Sequence, residues 1–236
     1  MDPGEEYHVW HSPLIGREFR MLVFGHGGRP LVLFPTSKGA YYQYNDQHLI
    51  ETARWFLEQG KVKIYCPDSL DDWSWYNKAI SPADRARHQG IYDRLILEEV
   101  VPRMQRETGF DRIAAAGCSF GGYHAVNFSF RHPGITAYCF SMSGVFDIRS
   151  FADGYYDDNV YFNNPMDFIN GAQDPQLWEM GIVLGTAEWD LCREDNERLS
   201  GLLAAKNIRH WLDIRPDRTH DWQVWKEMFP HYLSLL

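Results

Sequence analysis

No apolar run in this sequence of 236 residues reaches the length of about eighteen residues that a membrane-spanning helix requires. The first residues, Met1 to Glu6, have neither the basic start nor the apolar core of a signal peptide. Clusters of lysine and arginine are also missing, and the formal net charge is −9. We therefore expect a soluble, cytoplasmic protein that binds neither a membrane nor nucleic acid.

Cysteine is scarce, and the four cysteines lie far apart without any C-x-x-C pair. Free cysteines in apolar segments behave as small buried hydrophobic residues, which is the role expected here. Phosphate-binding loops, dinucleotide fingerprints and clusters of metal ligands are missing too. The turn Gly25-His26-Gly27-Gly28 leads into another strand, whereas a nucleotide loop leads into a helix. We expect no cofactor and no metal.

The chain has enough apolar residues for one large hydrophobic core, since 44% of its residues are hydrophobic and 15% are aromatic. Strand-like and helix-like spacings alternate along most of its length. Strands are predicted over Leu31 to Phe34, Val62 to Cys66, Ile113 to Ala116, Ala137 to Met142, Ile182 to Leu184 and Ile208 to Ile214. This alternation predicts a single α/β domain over residues 1–236, with a mostly parallel sheet and helices on both faces.

Other segments modify this simple pattern. Glu18 to Phe24 alternates, and the Gly25 to Gly28 turn separates it from the next strand, which predicts an antiparallel hairpin near the N-terminus. Leu97, Val100, Val101 and Met104 mark a helix in which Pro102 implies a kink or an early end.

Two long polar stretches, residues 67–90 and 147–176, follow predicted strands. They should emerge at the carboxyl edge of the sheet, where open α/β folds bind ligands. We expect them to form walls of a substrate pocket or, for residues 147–176, a partial lid; the alternative is surface loops whose aromatic residues pack on the domain. Candidates for substrate contact are Trp73, Trp75, Tyr155 and Tyr161.

The most informative motif is Gly117-Cys118-Ser119-Phe120-Gly121, which has the Gly-x-Ser-x-Gly spacing of a nucleophile elbow. A buried strand precedes it, and a helical pattern follows it up to His132-Pro133-Gly134. Small residues on either side of a serine allow a sharp, strained turn that exposes the hydroxyl group. The order of strand, elbow and helix predicts that Ser119 is a nucleophile.

A serine nucleophile needs a neutral imidazole as base and a carboxylate that orients this imidazole. His210, His220 and His231 lie downstream of the elbow, and His220 is the best placed because it lies in a loop between a strand and a helix. His210 and His231 lie in predicted regular structure, where structural roles are more common.

The carboxylate is expected in the loop after the strand over Ile182 to Leu184. We favour Asp190, because it lies deeper in that loop. Glu188 is a close alternative, and Asp147 is a third candidate. A purely structural role for Asp190 or Glu188 would be that of a helix cap.

An acyl-transfer site also needs two N–H donors for the developing oxyanion. The backbone N–H of Phe120, at the start of the helix, should be one of them. The other should come from the loop after the strand that ends at Phe34. Pro35 has no N–H, so the donor is Thr36 or Ser37, and we favour Ser37.

With these motifs in place, the chain resembles the α/β-hydrolase superfamily, and within it the esterase group that includes esterase D, the enterochelin-type esterases and the antigen 85 mycolyltransferases. The resemblance covers Leu31 to Trp225 and is most specific at the elbow, in the loop from Gly185 to Asp190 and at His220-Asp221-Trp222. Pro35-Thr36 stands where these proteins usually have His-Gly or Asp-Gly, which affects the choice of Ser37 but leaves the triad intact.

The resemblance implies a small carboxylic ester as substrate. The leading hypothesis is therefore a serine esterase that works through an acyl-enzyme on Ser119. One alternative is an acyltransferase that uses the same intermediate, and another is a non-catalytic binding protein on a hydrolase fold. The sequence leaves the oligomeric state open.

Overall fold

The computed structural model describes residues 4–236, and in it eight strands form one sheet in the order β1-β2-β4-β3-β5-β6-β7-β8. The strands are β1 (Glu6–Ser12), β2 (Arg17–Phe24), β3 (Arg29–Phe34), β4 (Val62–Pro67), β5 (Ile113–Cys118), β6 (Thr136–Met142), β7 (Gly181–Trp189) and β8 (Trp211–Thr219). Strands β3 to β8 run parallel to one another, whereas β2 runs antiparallel to both β1 and β4. The predicted α/β fold with a mostly parallel sheet is confirmed.

Eleven α-helical segments connect the strands within residues 4–236. They are α1 (Gln43–Asp46), α2 (Leu49–Thr52), α3 (Arg54–Glu58), α4 (Pro82–Leu95), α5 (Val101–Thr108), α6 (Phe120–Arg131), α7 (Asp158–Tyr161), α8 (Pro165–Phe168), α9 (Gln176–Glu179), α10 (Arg193–Ala205) and α11 (Trp222–Leu233). A π-helical turn spans Ile96–Val100, and 3₁₀ turns span Ile148–Phe151 and Ile169–Gly171. None of these helices combines the length and the apolarity needed to cross a lipid bilayer.

The two faces of the sheet bury different helices. On one face, β-strand residues such as Val32 and Leu184 pack with side chains of α4, α5, α6 and α10. On the other face, Leu33 and Phe140 pack with side chains of α2, α3 and α11. Alternate residues of one strand therefore enter opposite halves of the core, which explains the fully apolar sequences of the central strands.

The N-terminal hairpin has different partners from those expected. β2 forms its hairpin with β1, and its other edge pairs with β4, whereas β3 lies on the far side of β4. The chain between β2 and β3 thus crosses the start of β4. Gly25 and Gly28, at φ +91° and +92°, allow this crossing, because a Cβ at Gly28 would lie 2.2 Å from the carbonyl carbon of Lys61. The glycine-rich turn is therefore a crossover between strands that do not pair.

Three other elements differ from the expected boundaries. The sequence predicts residues 82–90 as part of a long loop, but in the structure they belong to α4, which begins at Pro82 with Ser81 as its cap. The helical path continues to Thr108, and a π-helical turn over Ile96–Val100 precedes Pro102, which cannot donate a backbone hydrogen bond. Strand β8 extends to Thr219, because β7 also continues past the expected loop start and pairs with it.

Candidate active site

Ser119 lies at the tip of the turn between β5 and α6, with φ 56° and ψ −123°. This strained backbone conformation requires close packing around the turn. A Cβ at Gly117 would lie 2.2 Å from the carbonyl oxygen of Gly121, and a Cβ at Gly121 would lie 2.2 Å from that of Phe34. Both glycines are therefore needed for steric reasons, and the motif forms the strand, elbow and helix that its sequence predicts.

His220 follows β8 and lies over the elbow. Its Nε2 is 3.0 Å from the Ser119 hydroxyl, although 101 residues separate the two in the chain. Asp221 caps α11 by accepting hydrogen bonds from the N–H groups of Gln223 and Val224, which fixes the chain immediately after the histidine. The ring of Trp225 meets the imidazole edge to face, with centroids 5.0 Å apart. The start of α11 thus fixes the position of the His220 imidazole.

Asp190 is the carboxylate that reaches this imidazole. Its Oδ1 lies 2.8 Å from His220 Nδ1 and also accepts the backbone N–H of Cys192 at 2.7 Å. Glu188 instead accepts the backbone N–H of Asp217, and Asp147 forms an ion pair with Arg149. The structure therefore brings Ser119, His220 and Asp190 together and leaves the two alternative carboxylates outside the group.

The environment of Asp190 keeps it ionised. Burial alone would raise its pKa, but hydrogen bonds from His220 and from the Cys192 N–H, together with the nearby polar Ser143 hydroxyl, outweigh this and hold the pKa below its ordinary value. Ser143 in turn accepts the indole N–H of Trp225 at 2.8 Å. Sequence reasoning missed Ser143, which follows β6 as Asp190 follows β7.

Within residues 35–39, the loop after β3 leaves one backbone N–H free. The Thr36 N–H donates to Gln43 Oε1, the Lys38 N–H donates to Asp71 Oδ2 and the Gly39 N–H donates to the carbonyl oxygen of Thr36. Within residues 4–236, no hydrogen bond engages the N–H of Ser37. The N–H of Phe120 at the start of α6 is free in the same sense. Two backbone N–H donors, those of Ser37 and Phe120, are thus without a hydrogen bond to the described part of the chain beside the Ser119 turn.

The four aromatic residues expected to contact substrate lie in different environments. Trp75 is fully buried and donates to the Tyr123 hydroxyl, so the expectation for this residue is corrected. Tyr161 lines a cavity with His132 at the far end of α6, so it too is corrected. Trp73 stacks on His88 and lines a small cavity beside Lys38, and Tyr155 is exposed. The predictions for Trp73 and Tyr155 stay open.

A different aromatic residue lies nearer to the free donors. The Tyr76 hydroxyl donates to Ser37 Oγ at 2.8 Å, and its ring contacts Phe120 and Phe151. Phe151 belongs to the segment 147–176, whose residues Ile148 and Val160 are buried in the same small cluster as Phe120. Tyr76 belongs to the run Trp73-Ser74-Trp75-Tyr76. Its closeness in sequence to the two tryptophans is the one feature that could have predicted a position near the site.

Asp190, Cys192 and His220 also offer potential metal ligands within 4.8 Å of one another. The Cys192 thiol is a poor ligand, however, because burial and the charges of Asp190 and Asp195 raise its pKa to about 12. Both imidazole nitrogens of His220 already face other side chains, Nδ1 that of Asp190 and Nε2 that of Ser119. The arrangement suits proton transfer better than metal binding. All four cysteines are free and buried, as expected.

The Esterase family (Putative esterase) matches residues 16–235 of the chain. A comparison with curated protein sequences gave no match. Among solved structures, a ferulic acid esterase is similar with a TM-score of 0.81 and 16% identity over 100% of this chain and 98% of the other. S-formylglutathione hydrolase from Staphylococcus aureus is similar with a TM-score of 0.74 and 17% identity over 98% of both chains. MPT51 from Mycobacterium tuberculosis is similar with a TM-score of 0.70 and 14% identity over 98% of this chain and 97% of the other.

At such low identities the structural likenesses show a common fold. The family match is more informative, since it extends over nearly the whole chain and includes the elbow, the loop of Asp190 and the histidine after β8. The chain therefore belongs to the Esterase family, and it is an ester hydrolase of the carboxylesterase type.

Proposed function

We propose that the protein hydrolyses small carboxylic esters through an acyl-enzyme on Ser119. The observation that carries this proposal is the position of His220 between the Ser119 hydroxyl and Asp190, at 3.0 Å and 2.8 Å. Both distances lie within hydrogen-bond reach, which proton transfer between these groups requires.

In the first step the Ser119 Oγ attacks the ester carbonyl carbon while His220 Nε2 takes the hydroxyl proton. The negative charge that develops on the carbonyl oxygen is stabilised by the free N–H groups of Phe120 and Ser37. Collapse of the tetrahedral intermediate breaks the bond to the alcohol, which leaves with the proton from His220. Ser119 then carries the acyl group.

In the second step His220 accepts a proton from water, and the resulting nucleophile attacks the acyl carbon. Water can reach this position, because the His220 side chain is 17% exposed and Ser37 is exposed. Collapse of this second intermediate releases the carboxylic acid and returns the proton to Ser119. Asp190 stays ionised throughout and stabilises the imidazolium formed in each step.

Hydrolysis of p-nitrophenyl acetate by the wild type, Ser119→Ala and His220→Ala tests the proposal. We expect each substitution to lower kcat by several orders of magnitude, with the melting temperature little changed. His231→Ala is the matched control, because His231 is exposed near the end of α11 and should leave the rate unchanged. Full activity of Ser119→Ala would refute the proposal.

Adding an acceptor alcohol to the same assay separates hydrolysis from acyl transfer. We expect the free acid as product at every alcohol concentration, because the partly exposed triad gives water direct access. An ester of the added alcohol as the main product would instead make the protein an acyltransferase. A panel of short-chain, long-chain and aromatic esters then defines the acyl group.

A further inference from the structure

A carboxylate that the mechanism above does not use lies beneath the loop that carries Ser37. Asp71 follows β4, and its side chain is fully buried. Each of its oxygens has a different partner: Oδ2 accepts the Lys38 N–H at 2.8 Å, and Oδ1 lies 2.9 Å from His124 Nε2. A buried carboxylate is costly unless such partners satisfy it.

The contact with Lys38 fixes the peptide next to the free donor. Gln43 holds the peptide before Ser37 through the Thr36 N–H, and Asp71 holds the peptide after it through the Lys38 N–H. The Ser37 N–H thus lies between two fixed peptides. Lys38 itself has φ 55°, a left-handed conformation that costs energy for a residue other than glycine and persists only when its surroundings hold it. Asp71 supplies the hydrogen bond that does so.

The contact with His124 ties the same carboxylate to the elbow helix. His124 is buried on α6, the helix that begins with Phe120, and the Phe120 ring lies edge-on to its imidazole at 5.1 Å. The Gln89 amide nitrogen is 3.3 Å from His124 Nδ1. A hydrogen bond donated by this amide leaves the imidazole proton on Nε2, where it faces Asp71.

We propose that Asp71 and His124 are positioning residues that hold the Ser37 N–H in register with the Phe120 N–H, so that both donors meet the same oxyanion. The proposal rests on the proposed ester hydrolysis and deepens it. One carboxylate joins the loop of the first donor to the helix of the second. Neither residue touches the reacting atoms, so their contribution acts through the geometry of the donors.

Kinetics of Asp71→Ala test this role, because the substitution removes both acceptor oxygens. Loss of a donor to the oxyanion lowers kcat by about 10²- to 10³-fold in other hydrolases. For a displaced donor we expect a loss of about ten- to a hundredfold in kcat, with KM changed less than about threefold, since the contact strengthens in the transition state. Asp71→Asn keeps one oxygen for the Lys38 N–H but turns an amide NH₂ group toward His124 Nε2, so it should recover only part of the rate.

The chain offers a matched control in Asp93, another buried carboxylate. Its Oδ2 lies 2.8 Å from His132 Nε2 at the other end of α6, away from the Ser37 loop. Asp93→Ala should lower the melting temperature in the same way but leave kcat within about threefold of the wild type. The proposal is overturned if Asp71→Ala retains full kcat, or if Asp93→Ala loses as much activity as Asp71→Ala.

Should Asp71→Ala fail to fold, two variants of His124 carry the test. Gln at this position can place an amide N–H near the position of Nε2, whereas Leu cannot donate. We expect His124→Gln to keep kcat within about fivefold of the wild type and His124→Leu to lose at least tenfold. Equal rates for the two variants would contradict a positioning role.

Amide hydrogen exchange separates this proposal from the proposed function. Exchange at the Lys38 N–H should become at least tenfold faster in Asp71→Ala, or in His124→Leu, than in the wild type, with no such change in Asp93→Ala. This readout needs no turnover. Unchanged exchange at Lys38 would overturn the positioning role even in an active esterase, whereas faster exchange in a protein without Ser119-dependent turnover would refute only the proposed function.

Discussion

Gly121 packs directly on the backbone of Phe34: a Cβ at Gly121 would lie 2.2 Å from the Phe34 carbonyl oxygen and 2.6 Å from that of Pro35. The elbow helix and the end of β3 are therefore in backbone contact. This contact brings the Ser37 loop beside the start of α6.

Gly121→Ala should destabilise the protein by about 1–3 kcal/mol or more, because both overlapping groups are backbone atoms that cannot rotate away. Urea denaturation measures the free energy of unfolding. Gly90→Ala is the control: Gly90 lies inside α4 with open space around its Cβ position, and alanine there should stabilise the helix by ~0.5–1 kcal/mol. Equal stability of Gly121→Ala and the wild type would show that α6 and the end of β3 can move apart without cost.

The two loop carboxylates should differ sharply in their effect on catalysis. Asp190→Asn should lower kcat/KM for p-nitrophenyl acetate by about 10³- to 10⁴-fold, because an amide no longer stabilises the imidazolium or the required tautomer of His220. Glu188→Gln should stay within about threefold of the wild type, since Glu188 faces the Asp217 N–H and not the imidazole. A larger loss for Glu188→Gln than for Asp190→Asn would assign the acid to Glu188.

The Ser37 side chain should matter only through Tyr76. The proposed donor is the backbone N–H of Ser37, whereas its hydroxyl accepts the Tyr76 hydroxyl at 2.8 Å. Ser37→Ala, Tyr76→Phe and the double variant should therefore lower kcat/KM by similar, small factors of less than about tenfold, with no additivity. A double-mutant cycle with fully additive losses would contradict a shared hydrogen bond.

Glu107 gives a prediction about stability at low pH. Burial alone would raise its pKa, but hydrogen bonds from Lys63, Arg103 and Tyr65 lower it to about 2. The unfolded chain has an ordinary Glu pKa of about 4.3, so this carboxylate stabilises the fold above that pH and loses its contribution as the pH falls toward 2.

Urea midpoints at pH 7 and pH 2.5 measure this effect. Glu107→Gln should be less stable than the wild type at pH 7, and the difference should shrink at pH 2.5. Glu98→Gln is the control, because Glu98 pairs with Arg94 in solvent and such pairs contribute little. A difference for Glu107→Gln that is constant between the two pH values would show that its charge does not stabilise the fold.

Much of the fold could be predicted because its signals are local. The strand before Ser119, the glycines around it and the helix after it each follow from short-range steric requirements. The crossover at Gly25 to Gly28 could not be predicted. A glycine-rich turn between two strands has the same sequence pattern whether the strands pair with each other or lie on either side of a third strand. Only the tertiary position of β4 decides between these arrangements.

In the site, too, the residues with local sequence signals could be predicted and those that depend on tertiary contacts could not. The elbow motif predicts Ser119, and the position in the chain predicts His220; the structure brings the two within hydrogen-bond distance. Asp71 and Ser143 carried no sequence signal, because a polar residue after a strand is common and its partners come from distant segments. For Trp75 the sequence signal misleads: its place in a polar loop predicts a pocket residue, but Tyr123 supplies a partner for its indole N–H inside the core.

The most direct test of Ser119 as nucleophile is covalent labelling with a fluorophosphonate, followed by intact mass measurement and peptide mapping. The account predicts one adduct per chain, located on Ser119, which is absent in Ser119→Ala and forms much more slowly in His220→Ala. A wild-type protein that remains unmodified, or an adduct that maps to a different residue, would contradict it.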